Sequence, residues 1–362
     1  MPDGARDVGI WRHASILPGT RTRITLGEGS TPLVPIDSGD RSISLLGKLE
    51  SQNPTLSFKD RGMALAASVA VDQGKRGLVV ASTGNAAVSA SAYAAAAGLS
   101  CRVIVASSSN AMAKLDACRA YGAEVSEISG DYSDAYAEAA ALADEGYMNV
   151  STTYQNEYII EGYRTVAAEL LEQCGCAPGA VIVPIGAGPL LSGIERGFAA
   201  LVECGDADRV PALVGVQAAG CAPIARAWAI GAAAASSASA ATVSSGAASA
   251  STRDEREVWR RMLHEPVRQT PTVATAIADP LRGYEDQGLI TLDAVRRTGG
   301  QVVAIDEAET IASVRALRRG GIWVEPSSAI ALAAVEQLRF EEGATVVLML
   351  TGHGVKSPPV EG

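Results

Sequence analysis

The sequence predicts an α/β protein with two doubly wound domains, each built on a parallel-rich sheet. Short apolar runs alternate with helical stretches of ten or more residues, as crossover connections between parallel strands require. Hydrophobic residues make up 48% of the chain and aromatic residues only 4%. A core of Ala, Val, Leu and Ile suits parallel strands covered by closely packed helices. At 362 residues, the chain is long enough for two substantial domains.

The predicted strands are short apolar runs that cover residues 43–49, 77–81, 101–106, 124–128, 180–185, 212–217, 301–305 and 345–350. The predicted helices cover residues 61–73, 86–97, 111–121, 133–145, 160–174, 190–204, 308–319 and 328–340. Gly74, Gly98 and Gly122 each follow a predicted helix, where a left-handed residue commonly ends the helix. Asp306 and Glu309 have the spacing of a capping box.

The region around residues 147–151 ends one run of strand–helix units, and a second run begins after it. We therefore predict a smaller domain at residues 46–150, and a larger domain formed by residues 1–45 and 151–362. Within the larger domain, residues 231–252 are almost entirely Ala and Ser. Because they offer little bulk to bury, they are predicted to form a flexible surface insertion.

Charge and cysteine usage narrow the class of protein. The formal net charge is −10 with no block of like charges, which disfavours nucleic acid and anionic membranes as partners. The six cysteines include no CxxC pair, so no metal site is expected and a reducing compartment is indicated. Neither a signal peptide nor an apolar segment long enough for a membrane span is visible. These observations predict a soluble, cytoplasmic protein.

The segment 53–61 contains a candidate catalytic lysine. Lys59 follows a turn and lies at the predicted start of an alanine-rich helix. The positive potential of a helix N-terminus favours the neutral amine. A neutral amine can attack an aldehyde, as a Schiff-base lysine must do. Taken alone, this position also fits a solvated surface charge.

A glycine-rich turn joins the predicted strand 180–185 to the following helix. We call residues 186–191 the glycine turn. Such a turn brings backbone N–H groups together at a helix N-terminus and leaves room for a phosphate. The spacing does not match the dinucleotide fingerprint GxGxxG, and no acidic residue closes a following strand. The turn is predicted to bind phosphate, with a simple packing turn as the alternative.

Three further loops carry polar groups after predicted strands or before predicted helices. Residues 82–85, here called the carboxylate loop, suit a carboxylate ligand or a plain helix cap. Thr351 follows the strand 345–350, at the end of a sheet where α/β proteins bind ligands. Its hydroxyl suits a heterocycle nitrogen or caps the turn. Glu325 either points into a site or sits favourably near a helix N-terminus.

These segments, in this order, resemble those of fold-type-II pyridoxal-phosphate (PLP) enzymes, a tryptophan synthase β-subunit-like fold, and more narrowly threonine synthases. The matching pieces are residues 28–33, 53–61, 82–85, 161–165, 186–193, 325–329 and 351–355. They span nearly the whole chain outside the Ala/Ser stretch. The Thr-Gly-His-Gly loop at 351–354 and the lysine segment favour threonine synthase over serine dehydratases and cysteine synthases.

The resemblance implies roles for individual residues. Lys59 would form the Schiff base with PLP and move the α-proton. The cofactor contacts would come from Asn85 at the ring hydroxyl, Thr351 at the ring nitrogen, and Gly186, Ala187, Gly188, Pro189, Leu190 and Leu191 at the phosphate. The substrate contacts would come from Ser82, Thr83, Gly84, Asn85, Lys114, Tyr158 and Glu325. A homodimer with PLP between the two domains is also implied.

A neutral hydroxyl at the ring nitrogen makes the cofactor a weaker electron sink, which favours elimination or replacement over transamination. The lead reaction implied by the resemblance is the conversion of O-phosphohomoserine to threonine and phosphate.

The chain departs from the family pattern where the substrate phosphate is recognised. Many threonine synthases carry an arginine at the position that corresponds to Tyr158. Their cofactor loop often has two asparagines that the glycine turn lacks, and their closing Lys-Asp is here Lys356-Ser357. Losing a bidentate guanidinium contact to phosphate removes about 1.5–3 kcal/mol. Lys114 and Arg164 are candidate substitute partners for an anion, although each also fits a solvated helix charge.

Two alternatives to threonine synthase therefore stay open. The first is another PLP enzyme, either an ammonia-lyase acting on serine, threonine or diaminopropionate, or a β-replacement enzyme like cysteate synthase. The second is a PLP- or metabolite-binding protein without catalysis. Lys59 argues against this second alternative, because a protein that had lost the activity would not need the lysine.

Overall fold

A computed structural model describes residues 8–39, 42–106, 112–130, 132–151, 153–239 and 248–357. Residues 1–7, the start of the helix predicted at 111 and residues 240–247 of the Ala/Ser stretch lie outside the described residues. No helix in the described ranges is long and apolar enough to cross a bilayer.

The larger of the two sheets has six strands in the order β1-β2-β10-β7-β8-β9. The pairing of β1 with β2 is antiparallel, and the other four pairings are parallel. The strands are β1 (Leu33–Pro35), β2 (Ser44–Lys48), β7 (Ala180–Pro184), β8 (Ala212–Ala218), β9 (Gln301–Ile305) and β10 (Thr345–Met349). Every residue of β7 is buried, as expected for a central parallel strand covered on both faces.

The smaller sheet has four parallel strands in the order β5-β4-β3-β6. They are β3 (Gly77–Ala81), β4 (Ser100–Ala106), β5 (Glu124–Ile128) and β6 (Tyr147–Asn149). All four fall within the predicted smaller domain. The exact division of the chain at residues 46 and 150 stays a prediction. The short strands β1 and β6 were not predicted, because three residues carry no detectable alternation.

Twelve α-helices surround the two sheets within the described ranges. They are α1 (Lys59–Asp72), α2 (Asn85–Ala97), α3 (Met112–Ala120), α4 (Tyr132–Asp144), α5 (Glu157–Tyr163), α6 (Thr165–Cys174), α7 (Pro189–Glu203), α8 (Pro223–Ser239), α9 (Ala248–His264), α10 (Gln287–Arg297), α11 (Glu307–Arg319) and α12 (Pro326–Gln337). The single helix predicted at 160–174 is wrong: the structure has two helices, α5 and α6, that meet at Arg164.

Part of the Ala/Ser stretch is helical, since α8 runs to Ser239 and α9 begins at Ala248. Alanine has the highest helix propensity, so this stretch forms helix where bulkier side chains are few.

Two kinds of helix-end signal in the sequence are confirmed. Gly74, Gly98 and Gly122 have φ angles of +65°, +68° and +86°. Asp306 and Glu309 form the predicted capping box.

A buried charge cluster fixes the start of α1 against the rest of the fold. We define it as Lys48, Glu50, Arg61 and Glu169. Arg61 donates to Glu50 at 2.7 and 2.8 Å and to Glu169 at 2.7 and 2.8 Å, while Lys48 donates to Glu169 at 2.6 Å. Exposure of these side chains is 2% or less. Two cations balance two carboxylates, so no net charge is left buried.

Candidate active site

A cavity of about 150 Å³ lies where the loops after β3, β7 and β10 meet the start of α1. The carboxyl ends of parallel strands are the usual ligand-binding edge of such sheets. The residues that line the cavity are Phe58, Lys59, Ser82, Gly84, Asn85, Ala86, Pro184, Ile185, Gly186, Ala187, Gly188, Pro189, Leu190, Ala276, Ile277, Asp279, Glu325, Ser327 and Thr351. The structure thus brings together most of the residues that the sequence singled out.

Lys59 is the first residue of α1 and borders the cavity. Its side chain is partly accessible because it opens into the cavity, but protein atoms surround it closely. Loss of solvation lowers the pKa of Lys59 to about 8, and the charge of Asp279 opposes this shift. The sequence predicted a lowered pKa from the helix N-terminus; the dominant physical cause is burial. Near neutral pH, the amine can therefore exist in both protonation states.

The glycine turn connects β7 to α7, with Pro189 as the first residue of that helix. Gly188 has a φ of +102°, and a Cβ there would collide with the side chain of Thr291. Thr291 Oγ1 donates to the Ala187 carbonyl at 2.5 Å, and this hydrogen bond fixes the backbone of the turn. The first-turn N–H groups of α7 have no partner within the helix and point toward its N-terminal end. Such a site favours an anion without a charged side chain.

Asn85 begins α2 and borders the cavity. Its Nδ2 donates to Glu325 Oε2 at 2.7 Å, and its buried Oδ1 has no hydrogen-bond partner. An unpaired buried amide oxygen costs free energy, so it marks a position where a ligand can donate a hydrogen bond. The carboxylate of Glu325 fixes which end of the amide remains free, because it can only accept.

Glu325 is 2% exposed and connects several parts of the site. Besides Asn85, its carboxylate accepts from Lys114 Nζ at 2.8 Å and from Ser357 Oγ at 3.2 Å. Two predicted substrate ligands, Lys114 and Glu325, are thus paired with each other. The positive charge of Lys114 is largely neutralised by this ion pair, which leaves it less available for a substrate phosphate.

Thr351 borders the cavity, and its Oγ1 lies 2.7 Å from Ser328 Oγ. The backbone N–H of Gly352 donates to the same Ser328 oxygen at 2.8 Å. Ser328 therefore orients the Thr351 hydroxyl. In the carboxylate loop, Ser82 and Gly84 border the cavity, and the Gly84 N–H donates to Ser82 Oγ at 3.1 Å.

Several predicted site residues lie away from the cavity lining. Thr83 and Leu191 are next to lining residues, but they do not border the cavity. Tyr158 lines a separate hollow, and its hydroxyl accepts from Gln73 Nε2 at 3.5 Å. Arg164, a candidate substitute for the family arginine, is paired with Glu161 at 2.5 Å. Arg164 therefore adds no cation to the lining of the cavity, and Tyr158 does not contact the cavity.

Sequence reasoning missed Asp279, a carboxylate that borders the cavity near Lys59. Its Oδ1 accepts from Tyr284 Oη at 2.7 Å and from the Leu281 N–H at 2.9 Å. Loss of solvation raises the pKa of Asp279. The surrounding sequence, residues 265–286, has neither helical nor strand periodicity, so no local pattern placed this residue at the site.

The donor set fits PLP. Lys59 offers an amine for an aldehyde, the glycine turn offers backbone N–H groups for a phosphate, and the Asn85 oxygen and Thr351 hydroxyl offer partners for a polar ring. Within the described residues, no cluster of three or more His, Cys, Asp or Glu could hold a metal ion. This arrangement is that of a PLP-binding enzyme with parallel α/β sheets.

The chain belongs to the pyridoxal-phosphate dependent enzyme family, whose model matches residues 24–352. It is similar to threonine synthase of Mycobacterium leprae, with 32% identity over 93% of this chain and 84% of that protein. Threonine synthase of Methanocaldococcus jannaschii is 31% identical over 98% of this chain and 82% of that protein.

Solved structures show the same fold. Maize serine racemase has a TM-score of 0.69 at 20% identity, over 90% of this chain and 88% of that one. A fungal L-serine ammonia-lyase from Rhizomucor miehei has a TM-score of 0.68 at 20% identity, over 90% and 94% of the two chains. The predicted family, the α/β fold and PLP as the cofactor are thereby confirmed, as is the class: a PLP-dependent lyase similar to threonine synthase.

Proposed function

We propose that the protein eliminates a substituent from Cβ or Cγ of an amino acid, with Lys59 as its catalytic base and PLP attachment point. The observation that carries this proposal is the position of Lys59 in one cavity with the carboxylate loop and the glycine turn. The similarity to threonine synthases indicates which reaction to test first, the conversion of O-phosphohomoserine to threonine and phosphate.

Each bound group has a proposed partner. The glycine turn and the N-terminus of α7 bind the cofactor phosphate through backbone N–H groups. Ser82, Gly84 and the N-terminus of α2 bind the substrate carboxylate, with Thr83 beside them. The free Oδ1 of Asn85 accepts from the cofactor ring hydroxyl.

The proposed chemistry is proton transfer by Lys59. When bound, PLP withdraws electrons from the substrate and so makes the Cα proton acidic. Once the substrate amine has replaced Lys59 on PLP, the released Lys59 Nζ would take that proton, since its lowered pKa leaves part of the free amine neutral at pH 7. The neutral hydroxyl of Thr351, held by Ser328, would be the partner of the ring nitrogen and would not enforce its protonation. A moderated electron sink favours departure of a leaving group over transamination.

A second candidate is an ammonia-lyase that acts on serine, threonine or diaminopropionate and forms a 2-oxo acid. One observation favours it: among the described residues that line the cavity, Lys59 is the one cation, against the carboxylates of Asp279 and Glu325. A β-replacement reaction would start with the same elimination. Binding without catalysis is disfavoured, because it does not need Lys59.

Three further properties are proposed, the first and third from the sequence pattern and the second from the family resemblance. The protein is cytoplasmic, it forms a homodimer, and its smaller domain presents Lys59 and the carboxylate loop to the glycine turn and Thr351 of the larger domain. Sedimentation analysis tests the homodimer, which a monomeric holoenzyme would contradict.

The cofactor link is tested with Lys59→Ala. The wild-type holoenzyme is expected to absorb at about 410–430 nm, and the variant to lack this band. Lys75→Ala is the matched control, because Lys75 lies just beyond the far end of α1 and outside the cavity. Wild-type protein that cannot be given this absorbance would refute the proposal.

The reaction is tested by assaying threonine and phosphate from O-phosphohomoserine, and 2-oxo acid from serine, threonine and diaminopropionate. Threonine with equimolar phosphate supports the first candidate, and 2-oxo acid supports the second. A holoenzyme with the absorbance band at about 410–430 nm but with neither product would contradict elimination as the function.

A further inference from the structure

The charge balance of the cavity points to a substrate class. Glu325, one of its two carboxylates, already accepts from Lys114, Asn85 and Ser357. Asp279 is the other, and its Oδ1 accepts only from neutral donors, Tyr284 Oη and the Leu281 N–H, among the contacts described for it. Asp279 is therefore the carboxylate with no ion-pair partner in the described part of the chain other than Lys59, with which its charge interacts. Its charge also acts on whatever enters the cavity next to that lysine.

The position of Asp279 is fixed by the fold. Tyr284 and Leu281 hold one carboxylate oxygen, while the other oxygen lies beside the start of the glycine turn. A Cβ built at Gly186 would be 3.2 Å from Asp279 Cβ and 3.5 Å from Oδ2. Because Gly186 has no side chain, no side-chain atom of that residue separates the carboxylate from the cavity.

Two cations that could balance a phosphorylated side chain are already held in ion pairs. Lys114 is paired with Glu325 at 2.8 Å, and Arg164 is paired with Glu161. A third cation, Lys356, donates from Nζ to the Thr55 carbonyl at 2.6 Å, and its charge interacts with the carboxylate of Glu325. An amino acid already brings one carboxylate to residues 82–85, and the cofactor brings a phosphate to the glycine turn. A further phosphate would add another anionic group to a cavity that already holds the Asp279 carboxylate, and like charges repel strongly where the dielectric constant is low.

We propose that Asp279 is a specificity-determining residue that selects amino acids with a hydrogen-bond donor on the side chain, a hydroxyl or an ammonium group, over phosphorylated ones. This inference rests on the proposed PLP-dependent elimination and decides between its two candidates. A hydroxyl or ammonium group at Cβ donates to the Asp279 carboxylate, whereas a phosphate ester has only acceptors to offer at neutral pH. The substrates are then short 3-hydroxy or 3-amino amino acids.

The test is a titration of the holoenzyme, followed by the change in cofactor absorbance, with serine and 2,3-diaminopropionate against O-phosphoserine and O-phosphohomoserine. We expect the unphosphorylated ligands to bind at least about tenfold more tightly to the wild type. The quantity compared is the ratio of the dissociation constant of a phosphorylated ligand to that of an unphosphorylated one. In Asp279→Asn, which keeps the side-chain shape, this ratio is expected to fall by about tenfold or more. Asp293→Asn is the control, because Asp293 pairs with Arg256 away from the cavity and should leave the ratio unchanged.

Tyr284→Phe provides a second variant if Asp279→Asn does not fold. It removes the 2.7 Å hydrogen bond to Asp279 and is expected to lower the same ratio by a smaller factor. Tighter binding of O-phosphohomoserine by the wild type, with threonine released and no change in Asp279→Asn, would overturn the inference while the proposed elimination stands. A protein that takes up no PLP would contradict both the proposed elimination and the role of Asp279. The absence of the cofactor absorbance band identifies that outcome.

Discussion

Replacing Arg61 by methionine is expected to destabilise the protein far more than a surface arginine replacement would. The guanidinium donates to Glu50, Glu169, Thr31 and Thr165, and its side chain is fully buried. Without Arg61, two buried carboxylates face Lys48 alone, so one negative charge is uncompensated. Leaving a charged acceptor without its partner costs about 1.5–3 kcal/mol, and breaking a buried ion pair costs about 3–5 kcal/mol. We therefore expect Arg61→Met to lose about 3–5 kcal/mol of unfolding free energy.

The measurement is urea denaturation of wild type and variants, followed by circular dichroism. Arg119→Met is the matched control: Arg119 pairs with Asp116 at 3.0 Å, but both side chains are exposed, at 45% and 65%. Such a pair contributes about 0–1 kcal/mol. A double variant that also carries Glu50→Leu should lose less than the sum of the two single variants, because it removes the uncompensated charge. If Arg61→Met lost no more stability than Arg119→Met, the charge cluster would not be what fixes α1.

The same cluster predicts how stability depends on pH. Burial alone would raise the pKa of Glu50 and of Glu169, but the charge and hydrogen bonds of Arg61 outweigh it and hold both pKa values below the usual 4.5. A carboxyl whose pKa is lowered on folding stabilises the fold above its unfolded pKa and loses this contribution as pH falls. Wild-type stability should therefore fall below about pH 4.5, and denaturation curves at lower pH check this. A flat profile from about pH 5 to pH 3 would contradict the assignment.

Three further changes act on the site itself. The rate of PLP incorporation into apoprotein should rise through pH 8, because the pKa of Lys59 is lowered to about 8 and only the neutral amine attacks the aldehyde. Stopped-flow absorbance measures this rate. A rate independent of pH from about 7 to 9 would count against the assignment of Lys59. Glu325→Gln should weaken PLP binding about tenfold, since the amide of Asn85 loses its fixed orientation; equilibrium dialysis would show no change if Glu325 were only structural. Gly188→Ala should lower both PLP affinity and stability by about 1–3 kcal/mol, because φ is +102° and Thr291 blocks a Cβ; unchanged melting and binding would refute this.

The two carboxylates of the cavity differ in how far the sequence could predict them. Glu325 stands in a recognisable helix start, so the sequence indicated it, although its partner Lys114 lies 211 positions away along the chain. Asp279 stands in a segment without periodicity, and only packing beside Gly186 brings it to Lys59. Lys48 and Glu169 of the charge cluster were likewise invisible, because a polar residue within an apolar run gives no sign of a partner 121 positions away.

The sequence alone determined the alternation of strands and helices, the stops at Gly74 and Gly98, and the loops that hold Lys59, the glycine turn and Thr351. These depend on local propensity, turn chemistry and backbone groups, which act over a few residues. Only the tertiary structure decided which charges meet and which stay free. It paired Lys114 with Glu325, removed Tyr158 from the cavity and placed Asp279 inside it. The physical reason is that desolvation and ion pairing depend on distances between segments far apart in the chain, and no local pattern encodes those distances.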